Sequence, residues 1–187
     1  MLATGLTHAP TLETERLRLR AHAPADFLDS LALWSDPRVV RFIGGRASTR
    51  EEAWSRLLRY AGHWSLLGYG FWAVIEKASN RFIGEAGFGD FHRALDAPCP
   101  ALDGGAPEAG WALAVSAHGR GYATEAMQLC LAWADAHLRP AATLCIISDE
   151  NAASLSVARK CGFGDETTVG YRGEPNLLLR RRTPATA

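Results

Sequence analysis

No apolar run in the chain approaches the ~18 residues that a membrane helix needs. Net charge is missing too: 20 lysines and arginines face 20 aspartates and glutamates, so no overall field favours nucleic acid. The first residues lack the charged and apolar regions of a secretory signal. Cys99, Cys130, Cys145 and Cys161 show no metal-ligand spacing, and three of them sit in apolar runs where a thiol packs as a small hydrophobe. Nothing asks for disulfides, so a reducing cytoplasm is the expected compartment. The six histidines are scattered, and no metal site is expected. Internal repeats and dividing linkers are absent as well. The 187 residues therefore suit a single domain over 1–187, with loose tails at 1–11 and 182–187. The short basic run Arg180–Arg182 reads as part of a solvated tail.

The elements that are present can be placed by period and punctuation. "RLRLR" (Arg16–Arg20) alternates and reads as a strand with one buried face. Pro24 fits the first turn of a helix to about Trp34. Thr49 with Glu52 has capping-box spacing and opens a second helix to about Leu66. "GFWAVIEK" and "RFIGEAGFGDF", joined at Ala78–Asn80, read as a β-hairpin. Residues 93–107 form a long loop rich in Pro, Gly and Ala, which its length marks as functional or mobile. "EAGWALAV" (Glu108–Val115) is the next strand, followed by a helix from Tyr122 that Pro140 ends. "ATLCIIS" is a buried strand, Asn151 caps a short helix to about Lys160, and "GFGDETTVGYR" with "PNLLLRR" closes the chain as an antiparallel pair. On a wheel the Tyr122 helix is mostly apolar, with a narrow polar stripe at Thr124, Glu125, Gln128 and Asp135. His137 falls in the apolar arc and reads as a core or last-turn histidine. The order β-α-α-β-β-β-α-β-α-β-β predicts a mixed sheet with helices on both faces. One crossover, through the Tyr122 helix, makes its two flanking strands parallel.

The crossover begins with "AVSAHGRGYATEA", where Gly119 and Gly121 separate a strand from a helix. Such a junction points several backbone N–H groups at one place, and the helix dipole favours an anion there. A Walker loop is excluded, because no Lys-Ser/Thr pair follows the second glycine. A dinucleotide fingerprint is weakened, because Thr124 stands where the third glycine belongs. Asp149 remains available as its ribose acid, so a dinucleotide-dependent oxidoreductase stays as an alternative.

"HGRGYATEA" followed by "NAASLSVARKCGF" resembles the GNAT superfamily of N-acetyltransferases, over roughly residues 12–180. "DPRVVRFIGGRASTREEA" and "RFIGEAGF" are similar to the branch that acetylates the N-terminal alanine or serine of ribosomal proteins. The resemblance implies a mixed α/β, GNAT-like fold: a mostly antiparallel sheet of about seven strands with one parallel pair and about four flanking helices. It implies acetyl-CoA as co-substrate, with its pyrophosphate on the glycine turn. In the family's pattern His118 takes the first position, where Gln or Arg is usual, Gly121 the fourth and Ala123 the sixth. The cofactor-binding set so implied is Leu113, Ala114, Val115, His118, Gly119, Arg120, Gly121, Tyr122, Ala123, Thr124, Asn151, Ser154, Ala158 and Lys160. Family members use a backbone N–H at the end of the preceding strand as oxyanion donor, which points to Ala114 or Val115. Many of them carry a tyrosine as general acid where this chain has Ala158.

Acetyl transfer needs a neutral amine, an oxyanion donor and a proton for the leaving thiolate. Ser154, one turn before the vacant tyrosine position, is the candidate near the sulfur; its alternative role is structural, through a bond to the carbonyl of residue 150. Glu108 is the first choice of general base and Glu85 the second, each on a strand leading to the site. Glu125 and Glu150 read as solvated or capping. The acceptor is a primary amine, either a protein N-terminus or a small molecule, and the protein is a monomer or homodimer without nucleic-acid or membrane partners. A regulatory module that binds acyl-CoA without turnover is the other alternative.

Overall fold

The computed structural model describes residues 5–183; the remainder of both expected tails lies outside them. Eight strands form one sheet: β1 (Leu12–Glu13), β2 (Leu17–Arg20), β3 (Phe71–Glu76), β4 (Arg81–Gly89), β5 (Glu108–Leu113), β6 (Ala142–Ser148), β7 (Gly164–Tyr171) and β8 (Glu174–Arg182). Their spatial order is β1-β2-β3-β4-β5-β6-β8-β7. Every pairing is antiparallel except β5 with β6. A sheet of this kind is not the doubly wound parallel sheet that a dinucleotide fingerprint requires, which removes the oxidoreductase alternative.

The helices are α1 (Phe27–Ser35), α2 (Pro37–Val40), α3 (Arg50–Leu67), α4 (Pro100–Asp103), α5 (Tyr122–His137) and α6 (Ala152–Lys160). Pro24 starts a 3-10 turn that runs into α1. The capping box forms: Thr49 Oγ accepts from the Glu52 N–H at 3.2 Å, and Glu52 Oε2 accepts from the Thr49 N–H at 2.8 Å. Helix α3 ends at Gly68, whose φ of 75° is the left-handed cap that glycine permits. Helix α5 packs through Tyr122, Ala126, Met127, Cys130 and Trp133 into the main core, with Leu17, Leu19, Trp72 and Phe88 of the sheet. Trp64, Trp72 and Trp133 meet edge to face there, with ring centroids 4.7–5.3 Å apart. His137 is exposed in the last turn of α5, where its ring bonds the Trp133 carbonyl. Helices α1 and α2 pack on the opposite face, against Ala112.

Three expectations about the periphery change. Ala9 is buried in the core, Leu6 packs against it, and Trp72 Nε1 donates to the Pro10 carbonyl, so the described part of the N-terminal arm is docked. Arg181 is not a tail residue. It sits in β8, its side chain is 13% exposed, and it makes a bidentate pair with Asp135. Strand alternation turns Arg181 inward while Arg180 and Arg182 stay exposed. Glu125 is neither solvated nor capping, because it accepts from Arg16 and Thr14 and ties α5 to the β1–β2 turn.

Candidate active site

The parallel pair is where the sheet opens. Strands β5 and β6 are paired only at Glu108 and Leu144, near their starts. Ala114 N–H donates to the Ile83 carbonyl, and β5 is in register with β4 as Glu85↔Ala112 and Gly87↔Gly110. In an antiparallel ladder the backbone groups of alternate residues face alternate sides. Those of Ala114, Ala112 and Gly110 therefore face β4. Those of Leu113, Trp111 and Ala109 face β6, as does Pro107, whose carbonyl accepts from the Leu144 N–H. Beyond Glu108 no β6 partner reaches Trp111 or Leu113, so the edge of β5 is open along the gap. This corrects the oxyanion expectation at Ala114, whose N–H is already used. The donors that face the gap are Trp111 and Leu113.

Both helices that follow these strands begin at the same end of the gap. Gly119 and Gly121 have φ of 72° and 78°, and Gly121 is the N-cap of α5. The first bond along the helix runs from Glu125 N–H to the Gly121 carbonyl, which leaves the N–H groups of Tyr122, Ala123 and Thr124 without helical acceptors. A Cβ built on Gly119 meets nothing within 4 Å, and one on Gly121 meets only Arg16 Nη2 at 3.7 Å. The space over the turn is thus open to a ligand that approaches the backbone. His118 Nε2 donates to the Leu113 carbonyl at 2.8 Å and so folds the turn back onto the end of β5. Arg120 points elsewhere: it pairs with Glu76 at 2.9 Å, which also accepts from the Tyr122 hydroxyl at 2.6 Å. The Tyr122 ring is buried, so of that residue only the backbone faces the turn. Val115 lies in the 3-10 turn after β5. Asn151 caps α6 by accepting from the Ser154 N–H at 3.1 Å. Lys160 is exposed at the far end of α6.

A cavity of about 140 Å³ continues from the gap beneath α1 and α3. It brings together Glu85, Glu108 and Ser154, the three residues selected from sequence for chemistry, although they lie on β4, β5 and α6. Glu85 is fully buried; its Oε1 accepts from Ser30 Oγ at 2.8 Å and its Oε2 from Trp34 Nε1 at 2.9 Å. Glu108 is held differently. Arg93 Nε and Nη2 each donate to one of its oxygens at 2.6 Å, a bidentate fork. Among the described residues the Ser154 hydroxyl makes no hydrogen bond to the carbonyl of residue 150, and Ser154 lines the cavity beside Asn151. Ala158 is fully buried within the main core and does not line this cavity. A tyrosine introduced there would overpack the core rather than reach the gap.

Several residues around Glu85 and its cavity escaped the sequence reading: Ser30, buried behind the wall, and Trp34 on α1, Arg56 and Tyr60 on α3, and Arg93. Each helical pair is four residues apart, so it shares a face, and that spacing was a usable signal. What the sequence lacked was the partner, because no local pattern says that both faces converge on Glu85. A larger cavity, about 380 Å³, lies between α1, α2 and the β5–α5 junction. Four of its charged groups are matched as Arg38–Asp36 and Arg120–Glu76, the other two, Asp29 and Arg81, are exposed, and no buried carboxylate faces it. The smaller cavity, with two buried carboxylates, is therefore the candidate chemical centre.

The loop at 93–107 is pinned to this centre at its start. Besides the Arg93 fork, Leu95 bridges Tyr171 and Asp96 N–H donates to the Gly170 carbonyl. Arg93→Met is expected to lower stability by about 3–5 kcal/mol, because it strands the buried Glu108 carboxylate. Chemical denaturation with and without Glu108→Gln checks this. The second change should recover most of the loss if the stranded charge is its cause.

The match to known proteins settles the family. The Acetyltransferase (GNAT) domain model covers residues 16–164. This chain belongs to the GNAT acetyltransferase family. The acetyltransferase is 34% identical to a protein from Bordetella pertussis assigned to the GnaT-family acetyltransferases; the match covers 92% of this chain and 99% of that one, with a TM-score of 0.78. Two further solved structures share its fold at 16% identity. One is the ribosomal-protein-S5-alanine acetyltransferase from Vibrio fischeri, with a TM-score of 0.73 over 95% of this chain and 98% of that one. The other is spermidine N-acetyltransferase from Vibrio cholerae in complex with CoA and spermine, with a TM-score of 0.69 over 91% and 97%. The acetyltransferase has no helix among its described residues that is long and apolar enough to cross a membrane.

Proposed function

We propose that the enzyme transfers the acetyl group of acetyl-CoA to a primary amine by direct attack in the β5–β6 gap. The observation that carries this is the open edge of β5, with the unpaired N–H groups of Trp111 and Leu113 facing the gap and Glu85 and Ser154 lining the adjoining cavity. The glycine turn fits the pyrophosphate, with donors at Tyr122, Ala123 and Thr124 and no Cβ in the way. Arg120 is engaged with Glu76, so the backbone rather than this side chain supplies the site. A thioester lying along β5 receives an oxyanion donor from Leu113 or Trp111.

The order of the two carboxylates reverses from the sequence reading. Both oxygens of Glu108 are closed by Arg93, and a carboxylate in that fork is a poor proton acceptor. Each oxygen of Glu85 accepts one neutral donor and keeps a lone pair. Glu85 is thus the base, and Glu108 with Arg93 shapes the wall. The ammonium gives one proton to Glu85. The amine nitrogen bonds the acetyl carbon, the carbon–sulfur bond breaks, and the second proton leaves nitrogen for the thiolate by way of Ser154 or a water.

The test is CoA-thiol release with a panel of amines, alongside thermal stabilisation by acetyl-CoA. Stabilisation with turnover of an amine supports the reading. Stabilisation without turnover of any amine marks a binding module instead. Ser154→Ala is expected to lower kcat by about tenfold to a hundredfold, at or just below the usual range for a proton donor. Acetyl-CoA stabilisation should persist, and an unchanged kcat would make Ser154 structural.

A further inference from the structure

The charges around the cavity are sorted in a way the transfer reaction does not need. Glu108 is matched by Arg93. Glu85 has only neutral hydrogen-bond donors and no ion-pair partner among the described residues. On α3, Arg56 and Arg59 have no ion-pair partner among the described residues either; Arg59 is exposed, whereas Arg56 is half-buried. Arg56 lines the cavity, and its Nε is buried without a hydrogen-bond partner. Its guanidinium lies 3.7 Å from the centroid of the Trp34 ring. That same indole donates its N–H to Glu85. One rigid ring thus holds a carboxylate at its edge and a guanidinium on its face. Arg59 and Arg93 flank the Phe91 ring, at 5.4 and 4.9 Å from its centroid. Burial pushes the Arg59 guanidinium below its ordinary value; the charges of Arg56 and Arg93 push it the same way, against Tyr60 and the more distant Glu85. Three cations crowd here with only one acid matched to them.

The geometry points to an acceptor that carries a carboxylate a few atoms from its amine, an α-amino acid with an apolar side chain, bound with its amine at Glu85 and its carboxylate at Arg56. This rests on the amine-transfer reading above and specifies its substrate. A free ammonium is complementary to Glu85, which has no ion pair among the described residues. A carboxylate is complementary to the planar fork of Arg56, which lacks an anion. Trp34, Tyr60 and Phe71 supply apolar wall for the side chain. A polyamine is disfavoured, because its second ammonium would meet the arginines instead of another carboxylate.

The experiment compares each standard amino acid with its own carboxamide, and with spermidine, as acceptors for the intact enzyme. The carboxamide has the less basic amine, so chemistry alone favours it. The expected result is a kcat/KM about 10–100-fold higher for the free acid in at least one apolar pair, as a lost charge-assisted hydrogen bond implies. In Arg56→Met that preference should fall to about unity, and Arg56→Lys should restore part of it. Preservation of the fold in both variants is read from stabilisation by acetyl-CoA. Equal rates for every acid and carboxamide, a spermidine rate above the best amino acid, or an Arg56→Met enzyme that keeps the preference would each overturn the inference. A second readout does not need turnover. With CoA present, an N-acetylated apolar amino acid should raise Tm more than its carboxamide does, and Arg56→Met should erase the difference. Should no amine be acetylated, the transfer reading fails while this arm still decides the carboxylate site: no difference there overturns it.

Discussion

Glu85→Gln is expected to lower kcat by about a hundredfold to ten-thousandfold, the span of a lost general base. The replacement is close to isosteric, but the amide nitrogen now faces either Ser30 Oγ or Trp34 Nε1, both of which donate to the carboxylate. Ser30 can rotate its hydroxyl to accept, whereas the indole N–H can only donate. The amide oxygen should therefore keep Trp34, and the cavity should keep its shape. The diagnostic is pH. The acceptor amine is protonated at neutral pH and loses its proton only at higher pH, so the variant should regain rate as pH rises toward that value while the wild type gains less. Acetyl-CoA stabilisation should be unchanged, since no phosphate donor is touched. A variant with wild-type kcat at neutral pH would remove Glu85 from the chemistry and return the role to Glu108.

Gly121→Val should abolish stabilisation by acetyl-CoA, a loss of about 2.7 kcal/mol at a ligand concentration a hundred times Kd. Two effects act together. The side chain fills space that is open beside the turn, where the proposed binding mode brings the pyrophosphate to the backbone. The backbone also resists, because φ is 78° and a β-branched residue is badly placed there. Gly121→Asn separates them, since asparagine tolerates that conformation at little cost. Both variants should bind weakly, and only the valine should lose much stability without ligand. A valine variant that folds and still shows the full acetyl-CoA shift would refute the assignment of the turn.

Much of this was legible because it depends on neighbours in the chain. The Thr49–Glu52 box set the start of α3, and the alternation of "RLRLR" placed Leu17 and Leu19 inward, where both are fully buried. The Gly119–Gly121 turn was readable for the same reason, since the strand before it and the helix after it are both local patterns. Ala158 shows the limit. Family likeness placed it at the sulfur, but its helix turns that position into the core, and only packing between α5 and α6 reveals which face is which.

Sequence alone determined the order of the main elements, the single crossover and the glycine turn proposed to hold the anion, since each is set by period, capping and backbone conformation over a few residues; the short β1, α2 and α4 were not read from it. Tertiary structure decided which carboxylate is free to act. Glu85 and Glu108 look alike in the chain, each on a strand beside a small residue. Ser30 and Trp34 reach one from 55 and 51 residues away and leave it lone pairs, whereas Arg93 reaches the other across the loop and closes it. The strength of a base depends on the donors and charges within a few ångströms, and those are chosen by contacts distant in sequence.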